Sequence, residues 1–170
     1  AAVFSALATG KFEQSFESLD IFWARLAMHI RAEHLHLFPA LLGAVDALEQ
    51  KKEVSRGPSL EVARSTIAQL QEDHDFFMRE LTAAIKQLRE LRDHKHDDEP
   101  AVLLNVQERI IAVSRRLEAH NALEESQVYR WAGVLLAPQE RIVLNESMQK
   151  ELGNLPPRFS QSEEVLRPSM

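Results

Sequence analysis

The sequence predicts an all-α protein, an up-down-up-down four-helix bundle. Helix-forming residues such as Leu, Ala, Glu, Gln and Arg dominate, and the 170 residues include only five glycines and seven prolines. Apolar residues recur at helical spacing through long stretches, whereas no stretch alternates with the period of two that is typical of a strand. Short polar breaks separate these stretches, which favours helices that pack as antiparallel neighbours.

Each predicted helix is bounded by a glycine, a proline or a capping residue. Gly10 ends the first helix, which is short. Ser59 is a suitable N-cap for the third helix, and Pro100 and Pro138 suit the first turns of the fourth and of a short extra C-terminal helix. Pro39 is a candidate kink in the second helix. The predicted helices cover residues 1–8, 14–48, 60–91, 100–136 and 138–152.

We interpret residues 1–153 as one bundle domain with its C-terminal helix, and residues 154–170 as a flexible tail. The chain begins without an initiator methionine, so we expect the first helix to be truncated.

Composition excludes several classes of function. The chain has no cysteine, which removes disulfides, thiolate catalysis and Cys-ligated metal sites and favours a reducing compartment such as the cytoplasm. A net charge of −6 gives no electrostatic reason to expect nucleic acid or an anionic membrane as partner. No apolar run approaches the roughly 20 residues that span a bilayer.

Polar residues interrupt the apolar faces of two predicted helices in the same way. His29 and Glu33 are one turn apart on the apolar face of the second helix, and His120 and Glu124 repeat the arrangement on the fourth. Both segments follow the pattern L-x-x-H-x-x-x-E-x-x-x-[LV]-[FY]. The predicted apolar stripes comprise Leu19, Phe22, Leu26, Ile30, Leu37, Ala40, Leu41 and Ala44 on the second helix, and Ile110, Val113, Leu117, Val128, Trp131 and Leu135 on the fourth.

A third helix adds His74, in the middle of a stripe of Ile67, Leu70, Met78, Leu81, Ile85 and Leu88. Three histidines and two glutamates thus face one predicted core. A His-x-x-x-Glu pair alone is a weak signal, but the convergence of five groups favours a metal with nitrogen and oxygen ligands, such as iron, manganese or zinc. Two inward carboxylates could bridge two ions. The alternative is a purely structural polar core.

Other polar and aromatic residues receive simpler interpretations. We expect His34 at a helix–helix boundary and His36 at the rim of the site, where a hydrogen bond to a ligand is the alternative role. His94 and His96 lie in a predicted solvated loop. Glu72 and Glu125 neighbour the candidate ligands and are expected at the surface. The residues expected to pack the core are Trp23, Trp131, Phe22, Phe38 and Tyr129.

Together these motifs resemble the haemerythrin-like domains, the HHE cation-binding family. HIRAEHLHLFPAL (29–41) is similar to that family's H-x-x-x-E-[EH]-x-x-L-F-P-x-L signature, EDHDFF (72–77) to its third-helix histidine motif, and HNALEESQVY (120–129) to its second H-x-x-x-E-E motif. The resemblance covers roughly residues 1–136. It implies a four-helix bundle around an oxo- or hydroxo-bridged di-iron centre, with zinc or manganese as substitutes.

By this resemblance Glu33 and Glu124 would bridge the metals, His29 would bind one ion, and His74 and His120 would bind the other. Two departures from the family are visible. A histidine expected on the first helix is absent, and the internal repeat places it before Ala1. Met78 stands where oxygen-carrying haemerythrins have a further histidine.

The expected function is therefore binding or sensing of dioxygen, nitric oxide or iron by a protein that is a binding protein rather than an enzyme, with a homo-oligomer as a compatible assembly. One alternative is a metal-free or zinc-stabilised helical interaction module. A ferritin-type di-iron oxidase is disfavoured because Glu33-x-x-His36 has no second counterpart: Gln127 follows Glu124 at that spacing.

Overall fold

The computed structural model describes residues 12–51, 57–93 and 99–160, and it is all-helical, with no strand in those ranges. The elements are α1 (Phe12–Ala32), a π-helical turn (Glu33–Leu37), α2 (Phe38–Gln50), α3 (Leu60–Asp93), α4 (Glu99–Leu123), a second π-helical turn (Glu124–Val128), α5 (Tyr129–Leu135), α6 (Pro138–Leu152) and α7 (Pro157–Ser160).

The four long helical stretches predicted between residues 14 and 152 are confirmed, with ends that differ by at most two residues. The second predicted helix is the continuous run from α1 through the first π turn to α2, and the fourth is the run from α4 through the second π turn to α5. The helix predicted at residues 1–8 lies outside the described residues. Within the predicted tail, the structure shows the short helix α7, whose Phe159 is buried.

Pro39 does not break the second long helix, because it follows the first π turn directly. A proline in the middle of an α-helix removes a backbone donor and crowds the preceding turn. Here the backbone N–H of Phe38 donates to the carbonyl of Glu33, five residues earlier, and Pro39 stands in the first turn of α2. A proline at the start of a helix loses no hydrogen bond.

α3 is the central element of the packing, in contact with α1, α2 and α4, while α6 packs along α1 and the first π turn. Two apolar clusters fill the interior. One contains Leu26, Phe77, Leu81 and Val113, and the other contains Leu37, Leu41, Leu70 and Val128. On α3, His74 lies between Leu70 of one cluster and Phe77 of the other, so its polar ring enters the core at the boundary between them.

Two of the predicted core aromatic residues lie elsewhere. Phe22 is 39% exposed and Tyr129 is 41% exposed, so their assignment to the core was wrong. Phe38 is buried as predicted, and Trp23 and Trp131 are half-buried against the two apolar clusters. The indole N–H of Trp23 donates to Thr82 Oγ1 at 3.1 Å, which ties α1 to α3. Among the described helices, none combines the length and apolar character that a membrane crossing requires.

Candidate metal centre

Four of the five predicted ligands form one buried cluster. Each of Glu33, His74, His120 and Glu124 offers one ligand atom, and these atoms all lie within 4.8 Å of one another. The four residues are at most 2% exposed. Because the residues come from three separate long helices, the cluster exists only in the folded bundle, as metal sites inside helix bundles usually do.

The ligand atoms of the cluster lie close together in the order Glu33, His74, His120 and Glu124. Glu33 Oε2 lies 3.3 Å from His74 Nε2, and His74 Nε2 lies 3.2 Å from His120 Nε2. His120 Nε2 in turn lies 3.1 Å from Glu124 Oε1. Atoms that share a metal ion at about 2.1 Å each are separated by about this much, so the spacing suits common coordination.

Two carboxylate oxygens in the cluster are buried without a hydrogen-bond partner. They are Glu33 Oε2 and Glu124 Oε1, which approach the imidazoles closely but not in hydrogen-bond geometry. Leaving a buried acceptor unsatisfied costs about 1–3 kcal/mol, and more for a charged one. A cation between the carboxylates and the imidazoles would satisfy both oxygens, so the donor set fits a metal ion.

The second oxygen of each glutamate faces a different set of groups. His29 Nε2 lies 3.2 Å from Glu33 Oε1, and its side chain is 36% exposed. The Tyr129 hydroxyl lies 3.4 Å from Glu33 Oε1 and 3.3 Å from Glu124 Oε2. His29, the fifth predicted ligand, therefore contacts this outer side of the carboxylates rather than joining the four-residue cluster. We call the side of the carboxylates that faces His74 and His120 the inner position, and the side that faces His29 and Tyr129 the outer position.

Both glutamates begin a π-helical turn. The carbonyl of Glu33 accepts the N–H of Phe38, and the carbonyl of Glu124 accepts the N–H of Tyr129, each five residues later. Such widened turns occur mostly as single insertions in α-helices and frequently at functional sites. The sequence repeat thus corresponds to a repeat of backbone geometry, which the sequence did not predict.

Asp73 is the functional residue that sequence reasoning missed. Its Oδ2 lies 3.2 Å from Nδ1 of His120, and its Oδ1 accepts a hydrogen bond from Arg116 Nε. The Arg116 guanidinium also lies 4.6 Å from the centre of the Phe76 ring. A carboxylate on one ring nitrogen fixes the tautomer of a histidine and leaves the other nitrogen free to bind. Its position directly before His74, in the quoted EDHDFF motif, was the available signal.

His34 contacts the Nδ1 atom of His74, as Asp73 contacts the Nδ1 atom of His120. His34 Nε2 lies 2.9 Å from His74 Nδ1, so when His74 Nε2 is free to bind a metal, the Nδ1–H of His74 donates a hydrogen bond to His34 Nε2. Phe38 stacks on the His74 ring, with ring centres 6.0 Å apart and planes 12° apart. His34 was expected at a helix–helix boundary, and the contact joins the first π turn to α3.

The two glutamates have opposite pKa shifts. Burial alone would raise the pKa of Glu33, but the adjacent imidazoles of His29 and His74 outweigh it and hold that pKa well below its usual range. Burial raises the pKa of Glu124, and the nearby negative charge of Glu33 adds to this shift. Without a cation, therefore, the first proton that the pair takes up binds Glu124 rather than Glu33.

The pKa values of three neighbouring histidines and of Tyr129 are shifted as well. Contact with Glu33 raises the pKa of His29 in spite of burial. Burial would lower the pKa of His120, but Glu124 and Asp73 outweigh it and raise that pKa. Burial lowers the pKa of His34. Burial and both glutamates raise the pKa of Tyr129 far above its usual value, so its hydroxyl is a hydrogen-bond donor here.

The remaining candidates are not part of the cluster. His36 is half-buried on the first π turn, with Nε2 3.9 Å from Glu151 Oε1 on α6, and Glu151 also accepts a hydrogen bond from Arg31 at 2.8 Å. Glu72 and Glu125 are exposed, as expected, and Met78 is half-buried. His94 and His96 lie outside the described residues.

Comparisons with models of protein families, with curated protein sequences and with solved structures found no significant match.

Proposed function

We propose that this chain is a metal-binding protein of haemerythrin type, whose up-down-up-down bundle holds two iron ions and which binds or senses a small diatomic ligand or iron itself. The observation that carries the proposal is the pair of buried, unpartnered oxygens, Glu33 Oε2 and Glu124 Oε1, facing two imidazole nitrogens. Unpaired buried acceptors of this kind destabilise a fold unless a bound group compensates them.

The two sides of the carboxylates support a dinuclear centre. At the inner position, His74 and His120 supply nitrogen and each glutamate supplies one oxygen. At the outer position, His29 lies beside the second oxygen of Glu33, and the second oxygen of Glu124 lies nearby, with the Tyr129 hydroxyl in reach of both oxygens. Glu33 and Glu124 would thus each bridge the two ions. The positive charge of the ions would keep both carboxyl groups ionised.

The surrounding side chains favour a neutral, small ligand. Phe38 stacks on His74, and Phe77 packs edge-on against His120 with ring centres 5.2 Å apart. Both phenylalanines are fully buried or nearly so, so one wall of the centre is apolar and excludes water. Iron, when bound, supplies the redox chemistry and the affinity for dioxygen or nitric oxide. The protein supplies the ligand geometry, through Asp73 and His34.

The test is to purify the full chain aerobically, quantify bound metal and record the visible spectrum. We expect about two irons per chain, and we expect His120→Ala and Glu124→Ala to lose most of the metal. His36→Ala is the matched control, because His36 lies on the same π turn as Glu33 but faces Glu151 of α6. Absence of stoichiometric metal in the wild type, together with unchanged stability of both variants, would overturn the proposal.

A specific observation also favours a second candidate, a structural zinc site in a helical interaction module. The four inner donors, two nitrogens and two oxygens within 4.8 Å of one another, suit a four-coordinate tetrahedral ion. One zinc per chain after equal exposure to iron and zinc, with no visible absorption, would establish this candidate in place of the di-iron centre.

A further inference from the structure

Tyr129 closes the outer side of the cluster. Its hydroxyl lies between two carboxylate oxygens, 3.4 Å from Glu33 Oε1 and 3.3 Å from Glu124 Oε2, and neither of these is the oxygen that faces His74 and His120. The residue as a whole is 41% exposed. The phenol therefore spans from the protein surface to the outer side of a buried carboxylate pair.

The second π turn explains how Tyr129 reaches this place. In a regular α-helix each residue turns by about 100°, so a residue five positions after Glu124 would lie well round the helix from it. The hydrogen bond from the Tyr129 N–H to the Glu124 carbonyl closes a wider ring and brings the two residues toward one face. In the first repeat the same turn carries Phe38, which has no hydroxyl and stacks on His74 instead.

The single phenolic hydrogen of Tyr129 cannot donate a full hydrogen bond to each of two carboxylates. A tyrosine hydroxyl has a single donor hydrogen, whereas Glu33 Oε1 and Glu124 Oε2 are both acceptors when ionised. Both distances exceed the usual 2.7–2.8 Å of a hydroxyl-to-oxygen hydrogen bond. His29 Nε2, 3.2 Å from Glu33 Oε1, adds a nitrogen donor to the same place. Two carboxylate oxygens, an imidazole nitrogen and a phenol oxygen are thus donors of the types that iron binds in proteins.

We propose that the Tyr129 oxygen is a ligand of the outer metal ion, alongside His29 Nε2, Glu33 Oε1 and Glu124 Oε2. This inference rests on the proposed function and names a fourth ligand for the outer ion. On binding, the O–H bond of Tyr129 breaks, its oxygen binds the ion, and the proton passes to solvent. Ferric iron is the favoured occupant, because phenolate is an anionic oxygen ligand that holds iron in other protein sites.

The chain offers a clear test because Tyr129 is its single tyrosine. The full-length wild type and Tyr129→Phe are titrated with iron(III), and resonance Raman and visible absorption spectra are recorded at each equivalent. We expect phenolate ring modes and a phenolate-to-iron charge-transfer band that grow with the second equivalent in the wild type and are absent in the variant. We also expect Tyr129→Phe to weaken the second equivalent by at least about tenfold, with the first equivalent little changed.

The outcomes separate this inference from the proposed function. If the wild type binds two irons without phenolate modes, and Tyr129→Phe binds the second iron equally well, Tyr129 is not a ligand while the di-iron proposal stands. If the wild type binds no iron, both are overturned. The wild-type spectrum decides the matter even if the variant is unstable, because no other tyrosine can give the signal.

Discussion

Asp73 Oδ2 lies 3.2 Å from Nδ1 of His120, although Asp73 directly precedes His74, a ligand candidate on the same helix. One turn of α3 therefore presents one imidazole to the cluster and orients a second imidazole that belongs to α4. Arg116, which donates to the other oxygen of Asp73, holds that carboxylate in place. The centre thus depends on an aspartate that does not face the metal position.

Asp73→Asn should weaken metal binding about 10- to 100-fold, which is the usual effect of removing the hydrogen-bond partner of a ligating histidine. The amide keeps the shape of the side chain but loses the charge that holds the His120 N–H. Competition with a metal-sensitive chelator measures the change. Glu72→Gln is the control, because Glu72 is the exposed acidic residue next to it. Equal losses in both variants would attribute the effect to net charge.

His34→Leu should also weaken the metal site, by about tenfold, because His74 Nδ1 loses the acceptor that lies 2.9 Å away. A leucine retains apolar contact with Phe38, so the fold should keep most of its stability. The same chelator competition, with thermal unfolding in parallel, checks both statements. His36→Leu should leave affinity unchanged, and a similar loss there would show that His34 acts through packing rather than through its hydrogen bond.

Glu124→Gln should make the metal-free protein more stable. It should also abolish the additional stability that bound metal gives to the wild type. Because burial raises the pKa of Glu124, ionising this carboxyl is unfavourable in the folded state, and the penalty is present above the ordinary value of 4.5. We therefore expect the free energy of unfolding of the variant at pH 7 to exceed that of the wild type. The difference should vanish below pH 4.5.

Urea unfolding of both metal-free forms as a function of pH measures this difference, and Glu125→Gln, at an exposed position on the same turn, is its control. A variant less stable than the wild type at pH 7 would mean that the Glu124 carboxylate is well compensated without metal.

The His29–Glu33 pair should stabilise the metal-free protein most strongly between about pH 4.5 and 6.5. The pKa of Glu33 is lowered, so its contribution is present above 4.5 and is lost as the pH falls through the lower folded-state value. The pKa of His29 is raised, so its contribution is present below 6.5 and is lost as the pH rises through the higher folded-state value. Glu124, which also faces His29, acts in the same direction when ionised.

His29→Gln provides the comparison for this window. The difference in melting temperature between the metal-free wild type and the variant should be largest within it and smaller at pH 8 and at pH 3. A difference that stays constant across the whole range would show that the pair contributes through packing alone.

Helical periodicity was enough to predict the long helices and to bring Glu33, His74, His120 and Glu124 to one core, because apolar spacing determines which face of a helix is buried. It misplaced other residues because it assumed 100° per residue throughout. Val45, downstream of the first π turn, is 2% exposed although it was not in the predicted stripe. Phe22 lies upstream of that turn, so the turn does not account for its exposure. A widened turn rotates everything after it, and no local residue pattern announces one.

The contacts of Asp73 and Tyr129 were beyond prediction for a different reason. Asp73 contacts a histidine of another helix, and Tyr129 contacts one glutamate of another helix and one across its own π turn. Such contacts depend on the rotation and offset of packed helices to within an ångström. The sequence showed an acidic residue before His74 and an aromatic residue after Val128, and each has a surface or core role by default.

The two π turns also make the backbone hydrogen-bond pattern a determinant of the chemistry. Each turn accommodates one residue more than a regular helix would, so winding Glu33–Leu37 or Glu124–Val128 into an ordinary α-helix of the same length would swing all that follows by about 100°. Leu35 and Ser126, both exposed, could be changed in identity at little expense. The widened backbone of the two turns, rather than any property of these two side chains, keeps Phe38 over His74 and Tyr129 against the two glutamates.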